Sequence, residues 1–204
     1  MEHAERFNTV THLAGLLLAG GGALALLSKA GASGDGWKLA ASAGFCLSML
    51  LLYASSALYH GSTGVRKARW EMLDHCAIYG LIAGTCLPFA LVTLRGPWGW
   101  ASMILVAALA LAGIGHELWR ARAAPPPLWL YLANGWVGVV ALVPAVWRMD
   151  AGGAAGLALG AFLYTAGVLF YRLGPQLKHA HGIWHLFVLG GTASHYFTVF
   201  RFVM

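Results

Sequence analysis

Seven apolar stretches divide this chain, at residues 8–27, 39–59, 73–94, 99–114, 128–147, 154–171 and 181–203. Inside a bilayer every backbone N–H and C=O must find its partner within the protein, which leaves helices and closed barrels as the spanning structures. A helix needs about 20 apolar residues to cross and a tilted strand only about 10. The stretches fit the helix, the fourth being the shortest. The sequence therefore predicts an all-α fold: a polytopic seven-transmembrane-helix bundle, one integral membrane domain over residues 1–204, with only short loops left over. Composition agrees. Hydrophobic residues make up 59% of the chain and charged residues 10%, and mean hydropathy is +0.69, outside the range of soluble domains. Pro88 and Pro144 are placed to kink the third and fifth helices.

The first stretch reads as a spanning helix rather than a cleaved leader, because Glu2 and Glu5 precede it against a single Arg6. Cys46, Cys76 and Cys86 are odd in number and lie in or beside apolar helices, so they read as small buried hydrophobes. With the N-terminus cytoplasmic, eight of the thirteen Lys and Arg fall inside: Arg6, Arg66, Lys67, Arg69, Arg120, Arg122, Arg172 and Lys178. Lys29, Lys38, Arg95, Arg148 and Arg201 fall outside. That bias places the N-terminus in the cytoplasm and the C-terminus outside. A basic rim facing anionic lipid accounts for the net charge of +6 without a nucleic-acid partner.

On this topology the polar residues of separate helices meet at one depth. Glu5, Asn8 and His12 share a face of the first helix, and Ser56 and His60 lie one turn apart at the end of the second. Asp74 and His75 open the third, and His181 and His185, again i and i+4, open the seventh. Ionisable side chains in membrane segments face a bundle interior and pair with one another, and they mark function by default. His60, His181 and His185 have the composition of a zinc site with an open fourth position. Asp74 is then placed as general base toward a zinc-activated water, and Ser56 to steady a ligand or an oxyanion. Glu5, Asn8 and His12 form an outer shell around the ligands. The competing reading is a set of interhelical hydrogen bonds, each contributing about 0.6 kcal/mol. Haem ligation is a further rival, though it has no need of paired histidines on one helix. His195 lies ten residues beyond His185, about 15 Å along a helix, and reads as a packing contact. His116 and Glu117 read as interfacial, His3 and His179 as solvated.

The residues Glu5-x-x-Asn8-x-x-Thr11-His12, Ser55-Ser56-Ala57-Leu58-Tyr59-His60, Leu73-Asp74-His75-x-x-Ile78-Tyr79, Ile82-Ala83-Gly84-Thr85-x-x-Pro88 and His181-Gly182-Ile183-Trp184-His185-Leu186-Phe187-Val188-Leu189, closing with His195, form one pattern. In it the chain resembles the hemolysin III family, the bacterial branch of the progestin and adipoQ receptor group. The blocks fall on the first, second, third and seventh helices in the family's order. The resemblance implies a seven-helix fold, zinc held by His60, His181 and His185, a water-mediated role for Asp74 and a nearby one for Ser56. It also implies a bacterial inner-membrane protein. In the receptors of the group, zinc chemistry is associated with hydrolysis of ceramide-type amides. The bacterial branch is named for cytolysis and linked to membrane fluidity. Cys86 stands where the resemblance leads one to expect a larger aromatic residue, which drift within a packed core would explain.

Three functions are compatible with these residues. The first is a zinc-dependent hydrolase of a lipid amide, with the acyl chain in an apolar channel between helices. Gly20, Gly21, Gly22, Gly156 and Gly160 would serve that channel or, more commonly, close helix packing. The second is a non-catalytic membrane-homeostasis regulator or sensor with structural zinc, and the third a pore-forming or cytolytic protein. Membrane lipids are the expected partners in each case.

Overall fold

The computed structural model describes residues 3–120, 126–174 and 176–204, with the backbone alone at residues 3 and 4. Arg122, counted above among the inside charges, and the side chain of His3 lie outside the described residues. The helices are α1 (His3–Ala32), α2 (Gly36–Gly61), α3 (Gly64–Leu94), α4 (Pro97–Trp119), α5 (Leu128–Ala141), the single turn α6 (Val143–Val146), α7 (Ala151–Arg172) and α8 (Ala180–Thr198). No strand occurs among the described residues. Among the described residues five helices, α1 to α4 and α7, are long and apolar enough to cross a bilayer. Helix α5 has 14 residues, about 21 Å at helical rise, and α6 prolongs it.

The two prolines act differently. Helix α3 runs through Pro88 and then widens into a π-helical turn, Phe89–Leu94, where the extra residue absorbs the missing N–H and the ring. Helix α5 instead stops at Ala141, and Pro144 sits in the first turn of α6, where no N–H is needed.

Successive helices pack in antiparallel pairs, α1 on α2, α2 on α3 and α7 on α8, and α8 returns to α1. The core between them is Phe45, Met49, Tyr53, Phe89 and Val199, all essentially without exposure. Without a hydrophobic driving force between helices in lipid, small residues set the contact distance. A Cβ on Gly160 would stand 2.1 Å from His195 Nε2, and one on Gly156 2.1 Å from Thr198 Oγ1, so α7 packs directly on α8. Gly20 and Gly21 face open space, and only Gly22 meets a neighbour, the Tyr196 ring. The α7 glycines thus serve close packing rather than a channel.

One end of the bundle is tied by basic side chains on helix-end carbonyls, the groups a C-terminus leaves unpaired. Lys29 donates to Phe200 O at 2.5 Å, and Arg148 to Leu94 O at 2.8 Å and Thr93 O at 3.2 Å. Asp35 caps α2 by accepting from Trp37 N at 2.8 Å and pairs with Arg95 at 2.9 Å. The opposite end carries the polar convergence.

Candidate metal centre

His60 lies in the last turn of α2, and His181 and His185 in the first two turns of α8. The packing of α8 against α1 and of α1 against α2 brings the three rings together. Their centroids form a near-equilateral triangle: 5.0 Å from His60 to each partner and 4.7 Å between His181 and His185. One nitrogen of each lies within 4.8 Å of the others. His60 and His185 are buried and His181 half-buried.

The hydrogen bonds decide which nitrogen faces inward. His60 Nδ1 donates to Glu5 Oε2 at 2.6 Å, and Lys67 donates to the other oxygen of the same carboxylate. A carboxylate only accepts, so Nδ1 carries the proton and Nε2 a lone pair. The Thr11 hydroxyl spends its single proton on Asn8 O at 2.8 Å. Toward His185 Nδ1, 3.1 Å away, it therefore accepts, as does Asn8 O at 3.3 Å. His185 Nε2 is thus bare as well. Nε2 of His60, His181 and His185 are all buried without a hydrogen-bond partner. Converging bare imidazole nitrogens, two of them backed by fixed acceptors, are the arrangement in which a cation is bound and its ligands oriented. The residues present fit a metal ion.

The other expected residues surround this triangle. Ser56 is fully buried and its Oγ has no hydrogen-bond partner among the described residues. Asp74 is buried, outside the three-nitrogen group, and forms part of a cavity wall. Asn8 Oδ1 is unpartnered and lies against Gly182, where a Cβ would be 2.9 Å away. His12 stacks on His185 with centroids 3.6 Å apart and hydrogen-bonds to nothing described. His195 packs instead against α7, its Nε2 3.2 Å from Leu157 O and its ring against Tyr164.

Two sequence readings are sharpened. Glu117, at the end of α4, is 5% exposed and turned into the bundle. It accepts from Tyr131 at 3.0 Å and from Arg120, which also reaches His75 Nδ1 at 3.0 Å. This cluster joins α3, α4 and α5; the signal was an acid three residues before an arginine at the end of an apolar helix. His179 is half-buried at the left-handed N-cap of α8, against Phe7, rather than solvated. Thr11, in α1, and Lys67, in the first turn of α3, are supports that the sequence reading did not assign, because spacing along one helix does not say which neighbour a side chain reaches.

A cavity of about 320 Å³ opens beside the centre, between α3, α5, α7 and α8. Its wall is mostly apolar, with His12 and Asp74 among its few polar groups. Cys86, part of the buried core, also stands on this wall. The three cysteines are free.

Comparison with known proteins matches residues 1–196 to the family described as haemolysin-III related. The chain is 38% identical over 194 residues to a hemolysin-3 homolog of Bacillus subtilis (strain 168), covering 94% of this chain and 91% of the relative. It is 37% identical over 199 residues to hemolysin-3 of Bacillus cereus, covering 97% and 90%. A more distant similarity, 25% over 179 residues and covering 84% and 74%, extends to the human monocyte to macrophage differentiation factor. The histidine triangle and the helical bundle that carries it are therefore those of a membrane protein that belongs to the haemolysin-III related family.

Proposed function

We propose that this protein is a zinc-dependent hydrolase of a lipid amide, embedded by seven spans in a bacterial inner membrane with the histidine triangle toward the cytoplasm. The observation behind the metal is the set of three buried Nε2 atoms with no protein partner. Imidazole donors suit zinc among the available divalent ions, and three of them with a free position are a catalytic donor set. Bound there, zinc supplies Lewis-acid polarisation of a carbonyl and acidification of water. Glu5 and Thr11 hold two ligand rings in the tautomer that presents Nε2. Asp74 is the nearby carboxylate on the cavity wall and the residue assigned to take the proton. The apolar chamber holds the acyl chain away from water. The charges support this orientation: Lys29, Lys38 and Arg148 are engaged on carbonyls at the far end, where Arg95 pairs with Asp35 and Arg201 is exposed. Arg6, Arg66, Arg69, Arg172 and Lys178 are exposed at the triangle's end, where a cytoplasmic surface gathers basic residues.

Two measurements test this reading. Zinc content of the purified protein should fall on His60→Ala, His181→Ala or His185→Ala; full occupancy in all three sinks the site. Fatty-acid release from a short-chain ceramide should occur in wild type and drop by about 100-fold or more in Asp74→Asn. Zinc bound at full stoichiometry with no cleavage of any lipid amide would instead favour a structural ion joining α2 to α8.

A further inference from the structure

A second polar group lies apart from the histidine triangle, where α3, α4 and α5 meet. His75, on α3, accepts through Nδ1 from Arg120 Nη2 at 3.0 Å. Arg120 Nε donates to Glu117 Oε2, and the Tyr131 hydroxyl donates to Glu117 Oε1 at 3.0 Å. Glu117 Oε2 also stands 3.8 Å from His75 Nδ1. That is too long for a hydrogen bond and short enough for a small side-chain movement to make one. The Glu117 side chain is 1% exposed and that of His75 10%. The acid is sealed, while the imidazole keeps an edge through which a proton can arrive.

The guanidinium fixes the state of the ring. Arginine has donors only and stays charged, so His75 Nδ1 holds a lone pair and Nε2 carries the proton of a neutral imidazole. An added proton goes to Nδ1. The ring then has two donors and no acceptor, and Arg120 meets a second cation across the same contact. Glu117 Oε2 is the acceptor within reach of the new N–H. The other titratable groups toward His75 are Glu71 on its own helix and Tyr59 and His60 on α2, with Asp74 its neighbour in the chain. Tyr59 is bonded to Glu71 and His60 to Glu5.

We propose that His75 is a proton-operated switch in the wall of the ligand chamber. Neutral, it accepts from Arg120 and leaves Glu117 to Arg120 and Tyr131. Protonated, it releases the Arg120 Nη2 contact and draws Glu117 Oε2 toward Nδ1. Tyr131 is bonded to that carboxylate and lines the cavity, so the α5 side of the chamber answers to pH at this end of the bundle. Histidine is suited to the task because its ordinary charge change falls between about pH 5 and 8. The inference rests on the cavity being the ligand chamber and not on the metal or the cleavage step.

The test follows Tyr131 itself. Full-length protein is purified with zinc in detergent, carrying tyrosine isotope-labelled at the hydroxyl-bearing ring carbon, and is titrated by NMR from about pH 8 to about pH 5. The Tyr131 signal is the one missing in Tyr131→Phe. In wild type it should shift along one titration curve with its midpoint inside that range. His75→Gln keeps an acceptor for Arg120 but takes up no proton, and it should hold the Tyr131 signal at its neutral-pH position throughout. A wild-type Tyr131 signal that stays fixed overturns the inference. So does a transition that survives in His75→Gln, as it would if loss of zinc in acid or titration of Glu117 or Asp74 were the cause. Should His75→Gln not fold, the histidine ring-nitrogen signals of wild type decide the question. One histidine must then titrate in step with Tyr131, and none doing so overturns the switch. Neither readout involves cleavage of a lipid amide, so failure here and failure in the ceramide assay are told apart.

Discussion

Glu5 is bonded on both sides, accepting from His60 and from Lys67. Replacing it with glutamine keeps an acceptor but removes the charge that raises the basicity of the ring. Metal affinity in Glu5→Gln should fall by roughly 10–100-fold, as for other outer partners of ligating histidines, measured by competition with a zinc chelator. An unchanged affinity would show that the carboxylate is not a metal support. Thr11→Val tests the equivalent contact at His185 and should act in the same direction. Asp35 belongs to the loop between α1 and α2, and the Trp37 amide holds its carboxyl below the ordinary carboxylate value. A depressed folded-state value means the cap stabilises above the unfolded value, about 3.9, and is lost as pH falls through the folded one. Asp35→Ala should therefore melt below wild type at neutral pH, and the gap should close in acid.

At the scale of elements, two seams differ in how they are held. The α7–α8 seam depends on glycine. Gly160→Ala would force its new Cβ into the His195 ring, while Gly20→Ala meets nothing. Thermal melts in detergent should show the first destabilised and the second near neutral, and equal melting of both would remove the packing argument. The α3–α4–α5 seam depends on buried charge. Arg120→Met leaves Glu117 at 5% exposure without its guanidinium, a change expected to cost roughly 3–5 kcal/mol. Tyr131, on α5, both bonds Glu117 and lines the cavity, so this polar cluster also positions one wall of the chamber.

At the scale of the whole molecule, the helical ring leaves a cavity beside the triangle, with Cys86 on its wall. Cys86→Phe should occupy part of that volume and slow fatty-acid release from a short-chain ceramide while leaving zinc content unchanged; equal release would place the acyl chain elsewhere. The helices and the three converging histidines were legible in the sequence because both follow from local rules. Apolar length in lipid leaves no alternative to helix, and the spacing of His181 and His185 puts them on one face whatever else the chain does. His60 joined them because alternating spans return polar residues to one end. The roles of neighbours were a different matter. His12, Glu117 and Thr11 are each one polar residue on an apolar helix, and sequence alone leaves their rotational setting against the next helix open. Only the packing decided that Glu117 turns inward to Tyr131, that Thr11 accepts from His185, and that His12 stacks on His185 with both nitrogens unmet. Periodicity and hydropathy act along a single helix, whereas these contacts depend on the angle and depth at which two helices meet, which close-packed side chains from distant parts of the chain set together.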